Sequence, residues 1–226
     1  MNTDRREFLE RLAVGTAFLA GAPISGVKLP WPVAAPVAEA PDPWDVSWVD
    51  KITGKYRGVF DSPEIEAGEG VFRAHTWIRQ YGSVMKTDPK DMSAVIVLRA
   101  RGIALAMSQD FWDTYEVAKV KKVLDPDTNE PITKNPVLLS AARNEVPKEF
   151  EDFMLPQQIQ AGTIVLGCNL ALGNMVSLVV DKTKKSRPDA RKEVLAAMVP
   201  GVILQPSGVF AAMRAQDAGC KYLRAS

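Results

Sequence analysis

Thr163-Ile164-Val165-Leu166-Gly167-Cys168-Asn169 is the stretch on which the fold turns. It is a short β-branched and apolar run closed by glycine and a small residue, and residues 170–183 after it repeat apolar positions at helical spacing. Upstream, Ser93-Ala94-Val95-Ile96-Val97-Leu98 is apolar almost throughout, the pattern of a strand covered by helices on both faces. It predicts a central place in a parallel sheet. Farther upstream, Arg57-Gly58-Val59-Phe60-Asp61 predicts a first strand closed by Ser62-Pro63, and residues 64–80 a helix carrying Ile65, Val71, Phe72, Trp77 and Ile78. Downstream, Gly201 to Pro206 predicts another strand, residues 209–218 a helix, and Lys221-Tyr222-Leu223 a short terminal strand. Helices are also expected over 109–124, 149–160 and 189–198. This alternation predicts a three-layer α/β sandwich with a mostly parallel β-sheet.

The chain has 226 residues, 46% hydrophobic and 24% charged, the composition of a globular protein able to bury a core. Once a leader and a spacer are set aside, about 180 residues remain, which suits one domain. Lysine and arginine number 28 against 27 acidic residues, so no basic excess exists to neutralise phosphates and no nucleic-acid partner is expected. Two cysteines and one histidine are too few for a disulfide framework or a Cys/His zinc cage. No metal site and no cofactor are expected.

Asp4-Arg5-Arg6-Glu7-Phe8-Leu9-Glu10 has the twin-arginine pattern, and an apolar segment, residues 12–20, follows at once. That segment has the length of a signal h-region and is short for a bilayer span, with an amphipathic N-terminal helix as the competing reading. Residues 1–26 are therefore read as a twin-arginine signal segment, and the protein as periplasmic. The cleavage candidates Ala20-Gly21-Ala22, Val33-Ala34-Ala35 and Ala38-Glu39-Ala40 each precede a proline, where signal peptidase cleaves poorly. An uncleaved leader would tether the protein to the membrane, the one membrane contact expected. Residues 27–50 form a proline-rich spacer, and the folded domain is assigned to 51–226, its start falling near residues 44–51. Residues 125–147, punctuated by Pro126, Pro131, Pro136 and Pro147, read as a surface insertion. Their Asp-x-Asp-x-Asn start is not a calcium loop, because Glu130 stands where glycine is needed and Pro136 where a bidentate glutamate is needed.

In open α/β sheets, sites gather at the carboxyl ends of the strands, where loops meet helix N-termini. Cys168 falls at such an end, just before Asn169, where helix N–H groups favour the thiolate. The other reading is a small buried hydrophobe, a common role for an isolated cysteine in a core strand. Ser207 and Gly208 follow a strand and open a helix, so they either bind an anion or cap the helix. Asp61 and Arg99 stand at the ends of two earlier strands. Cys220 follows a helix and is placed at the opposite edge of the sheet from Cys168, too far for a disulfide. His75 reads as a packing or surface residue more readily than as a base.

The run Thr163 to Asn169, the segment Val199-Pro200-Gly201-Val202-Ile203-Leu204-Gln205-Pro206-Ser207-Gly208 and the helix over 209–218 resemble the C-terminal half of DsrE/DsrF-like proteins. In element order the likeness extends over residues 56–223. It implies a small α/β domain, a homo-oligomer, and sulfur relayed as a persulfide on the cysteine that Cys168 matches. The implied partner is a sulfur donor or acceptor protein or a small sulfur compound. Cys168 would then be the thiolate acceptor, Asn169 and nearby N–H groups would stabilise the anion, and Ser207 would be an auxiliary donor. Gly208, Asp61 and Arg99 complete the expected ligand-binding set. The leader, the spacer and the 125–147 insertion depart from the small cytoplasmic sulfur relays of this family. Two alternatives stand beside the relay: a non-catalytic module binding a small ligand or a protein, and a structural subunit tethered by its leader.

The leader reading makes a direct prediction. Replacing Arg5 and Arg6 together by lysine should leave the folded protein in the cytoplasm, as scored by cell fractionation, whereas undiminished periplasmic delivery would contradict it.

Overall fold

In a computed structural model, residues 44–125 and 128–226 of the chain are described. The twin-arginine segment and most of the proline-rich spacer lie outside the described residues. Five strands, β1 (Tyr56–Ser62), β2 (Met92–Leu98), β3 (Ile164–Cys168), β4 (Val202–Gln205) and β5 (Lys221–Arg224), form one sheet in the order β4-β3-β2-β1-β5. Every pairing is parallel, so all carboxyl ends share one edge. Among the described residues, seven α-helices connect or flank them: α1 (Glu69–Met85), α2 (Gln109–Thr114), α3 (Val117–Lys121), α4 (Leu155–Gln160), α5 (Asn169–Thr183), α6 (Arg187–Ala196) and α7 (Gly208–Asp217).

The two-residue period of the strands sorts their side chains into two cores. Phe60, Ala94, Ile96, Leu98 and Val165 pack under α1, α5 and the buried turn Ala100–Ala106. Val59, Val95, Val97, Ile164 and Leu166 pack on the other face against Ala211, Ala212 and Ala215 of α7. Strand order steps outward from β1 to β4 and then returns to β5, so crossovers of one hand must place α7 opposite the earlier helices. The result is an α/β domain with an all-parallel sheet between two covering layers. Because α7 alone is narrow, the second core also takes Trp48, fully buried on the turn Ser47–Lys51. Packed structure thus reaches back into residues assigned to the spacer.

Three helices differ from their sequence patterns. The first begins at Glu69 because Glu66 and Gly68 take positive φ values of 43° and 88°. The helix expected over 109–124 breaks at Glu116, whose φ is 47°. The break lets the Tyr115 hydroxyl reach Glu193 of α6 and the Glu116 carboxylate reach Lys182 of α5. Burial, aided by the Glu193 carboxylate, pushes the Tyr115 hydroxyl up to about 12. The helix expected over 149–160 is a 3₁₀ turn, Lys148–Phe153, followed by α4, with the break at Met154, because Pro156 lacks the N–H that a continuous helix would bond to the carbonyl four residues back.

The insertion is anchored to the core through Asn135 and braced internally through Glu145. Asn135 is fully buried, its Nδ2 donating to the carbonyls of Leu105 at 3.1 Å and Met107 at 2.8 Å, while its Oδ1 accepts from the Val137 N–H. Glu145 is gripped by Arg143, Lys134 and the Ser140 N–H, which hold its carboxyl down at about 2. Asn135→Ala would orphan two buried carbonyls, so it should destabilise the domain by about 2–3 kcal/mol in urea denaturation. A loss under about 0.5 kcal/mol, the usual size for a surface change, would show that the insertion does not anchor the core.

Candidate functional site

The carboxyl edge of the sheet carries the sequence-predicted residues in two groups. In the first, Cys168 ends β3 and is the N-cap of α5, its Sγ accepting from the Ala171 N–H at 3.3 Å. A sulfur in this position meets the positive end of a 15-residue helix. The thiol is 6% exposed and packs in the core beneath α5. Asn169 is also buried, and its Oδ1 accepts from Arg191 Nη2 at 2.7 Å. Arg191 comes from α6, so its guanidinium holds the side chain of the residue that follows Cys168 in the chain. Nothing local in the sequence marked Arg191; only the α5–α6 pairing brings it to Asn169.

The second group gathers at the ends of β1, β2 and β5. Asp61, 1% exposed, receives a bidentate pair from Arg99, with Nε at 2.6 Å and Nη2 at 2.7 Å. The Tyr222 hydroxyl of β5 donates to the same carboxylate at 2.6 Å. That hydrogen bond raises the Tyr222 hydroxyl pKa, and the Asp61 contact raises that of Arg99. Gly208 lies against Arg99: a Cβ there would stand 2.5 Å from the arginine Cβ, so the start of α7 needs glycine for this close approach. Ser207 caps α7, its Oγ accepting from the Phe210 N–H at 3.0 Å, which leaves its own O–H to donate elsewhere. Asp61, Arg99 and Gly208 are thus brought together, and Tyr222 is the member sequence reasoning missed. Among the described residues, no hydrogen bond or ion pair joins this group to Cys168 or Asn169.

Cys220 precedes β5 and so lies at the amino edge, away from Cys168. Both cysteines are free, and burial pushes the Cys220 thiol up to about 11. Cys220 is therefore protonated at neutral pH, which withholds it from nucleophilic chemistry.

Among the described residues, cavities open whose walls include neither Cys168 nor Asp61. About 620 Å³ opens between the insertion, Phe72, Phe150 and Phe153 with mostly apolar walls. About 350 Å³ lies beside the aromatic residues of α1 and the exposed strand β5, and about 420 Å³ at the amino edge near His75. No group of three or more His, Cys, Asp or Glu residues that could hold a metal occurs among the described residues, nor any helix long and apolar enough to cross a membrane. Comparison with protein-family models, with curated proteins and with solved structures finds no match.

The Asp61 cluster ties three strands together with a carboxylate that is nearly out of contact with water. Asp61→Asn should cost about 2 kcal/mol in urea denaturation and Tyr222→Phe about 1 kcal/mol. Equal, negligible losses in both variants would show that the cluster does not hold the strand ends.

Proposed function

We propose that the protein is an exported DsrE/DsrF-like carrier that binds or relays a sulfur species through Cys168. The observation that carries the reading is the placement of this thiol: carboxyl end of a parallel strand, N-cap of α5, sulfur already receiving a backbone N–H. Such a position sets helix N–H groups where they can hydrogen-bond a sulfur that gains negative charge as it reacts. The asymmetry with Cys220, held protonated by burial, supports assigning the chemistry to one thiol. The resemblance of Thr163 to Asn169 and Val199 to Gly208 to the DsrE/DsrF-like pattern supports sulfur as the cargo, and the twin-arginine leader supports the periplasm as the place. A homo-oligomer and a sulfur-donating or sulfur-accepting partner belong to the same proposal.

The step balances without an outside oxidant. Cys168 loses its proton to solvent and the thiolate attacks a sulfur of a polysulfide. A new S–S bond forms, the polysulfide S–S bond breaks, and the shortened polysulfide leaves with the electron pair. Relay reverses the roles: an acceptor thiolate attacks the outer sulfur and Cys168 leaves as thiolate.

A second reading, a module that binds a ligand without covalent chemistry, is favoured by two facts. Cys168 is 6% exposed, and the roomiest of the three cavities described, about 620 Å³, is lined by the insertion and not by the cysteine. Intact-mass measurement after polysulfide exposure separates the two. The relay requires one added sulfur on Cys168, lost in Cys168→Ser and retained in Cys220→Ser, with both variants folded. Protein that takes up no sulfur until it is denatured would replace the relay with the binding module.

A further inference from the structure

The insertion and the 3₁₀ turn Lys148–Phe153 enclose the cavity of about 620 Å³ that opens beside Phe72. Its inner wall is made by Phe72, Ile132, Leu139, Val146, Phe153 and Met154, all buried or half-buried. Thr128, Glu130, Thr133 and Lys134 also line it but are exposed, which puts them at the mouth. Phe153 meets Phe72 edge-on at 6.2 Å between centroids and Phe150 at 5.7 Å. Phe150, 48% exposed, forms the lip. A ring left half in water on a short turn gains apolar contact as soon as something apolar lies beneath it.

These walls are set before anything enters. Pro131, Pro136 and Pro147 line the cavity with fixed φ angles, Asn135 ties the insertion to the carbonyls of Leu105 and Met107, and Glu145 holds Lys134 and Arg143. A ligand entering a pre-formed cavity need not order the loop around it. Among the described residues, the inner wall carries no charged side chain, so an ionic head drawn inside would lose its hydration without finding a partner. At the mouth both signs are present, and Lys134 is already held by Glu145, so neither charge is selected there. Water inside would meet hydrocarbon and make few hydrogen bonds. An apolar cavity of about 150 Å³ holds one benzene, so a volume about four times as large suits roughly two to four rings.

We propose that this cavity binds an uncharged apolar small molecule of roughly two to four rings, seated against Phe72 and Phe153 and covered by Phe150. This ligand class rests on the binding reading of the cavity. Neither cysteine takes part, so ligand binding and sulfur uptake are separable.

Titration of the full chain with Nile red, an uncharged ring probe, followed by displacement, tests it. Nile red fluorescence should rise to saturation at one molecule per chain. Naphthylmethanol should displace the dye at a concentration at least about fivefold below that needed with naphthoate or naphthylmethylamine, which carry the same rings with a charged head. Phe150→Ser at the lip and Leu139→Glu in the wall should each weaken dye binding at least about fivefold and leave the fold intact, because neither side chain belongs to the two buried cores. Cys168→Ser, and Val209→Ser on the exposed face of α7, should bind as the native chain does. Displacement by either charged analogue as readily as by the alcohol would overturn the ligand class while keeping the cavity as a binding site. Absence of saturable binding, or undiminished binding in both wall variants, would overturn the site and the binding reading with it. A native oligomer that falls apart in Phe150→Ser would also overturn it, making this surface an interface between copies.

Discussion

A strand that is apolar along its whole length has to be covered on both faces, and β2 imposes that requirement on this protein. All seven of its residues are buried, with Ala94, Ile96 and Leu98 in one core and Val95 and Val97 in the other. Covering one face takes α1, α5 and the turn Ala100–Ala106; covering the other takes α7, reached only by carrying the chain from β4 back across the sheet to β5. That return sets β5 beside β1 and brings Tyr222 to Asp61. The second face is the thinner one, and Trp48 completes it from a segment that precedes every strand. At about 25 cal/mol per Å², burial of a tryptophan is among the larger single contributions a domain of this size receives.

Parallel pairing then separates the chemistry by edge. At the carboxyl edge, a thiol caps α5 and a carboxylate shared by Arg99 and Tyr222 clamps the strand ends beneath the start of α7. The cavity near His75 opens at the amino edge. The thiol at the amino edge, Cys220, has burial working against ionisation, while the one at the carboxyl edge has a helix N–H pointing at it.

Much of this was legible in the residues themselves. β2 and β3 announce themselves as unbroken β-branched and apolar runs, because a strand buried on both faces has no polar positions to alternate. Ser207 and Gly208 were legible as a strand-to-helix junction, and Asp61 and Arg99 as strand-end residues. That these two pair was not, since the partners are 38 positions apart, and the Tyr222 contact spans 161. The break at Glu116 was illegible because no glycine or proline marks it; the side-chain partners on α5 and α6 decide it. The prolines of the insertion are plain in the sequence, but the burial of Asn135 depends on carbonyls of a distant turn that its own neighbours do not reveal. Gln158 falls in the helix expected over 149–160, and only its hydrogen bond to the Val71 carbonyl of α1, 87 positions away, ties it into the interior.

The proposed relay requires that Cys168, placed at a strand end and a helix N-terminus, be the reactive thiol of the two. The most direct measurement is the rate of alkylation of each cysteine in the native protein across pH 6 to 9, read by peptide mass spectrometry. Cys168 should react at least about tenfold faster than Cys220 near neutral pH, with Cys220 reacting only as the pH rises toward its elevated pKa. Equal protection of both thiols until the domain is unfolded would contradict it and leave Cys168 as a packing residue.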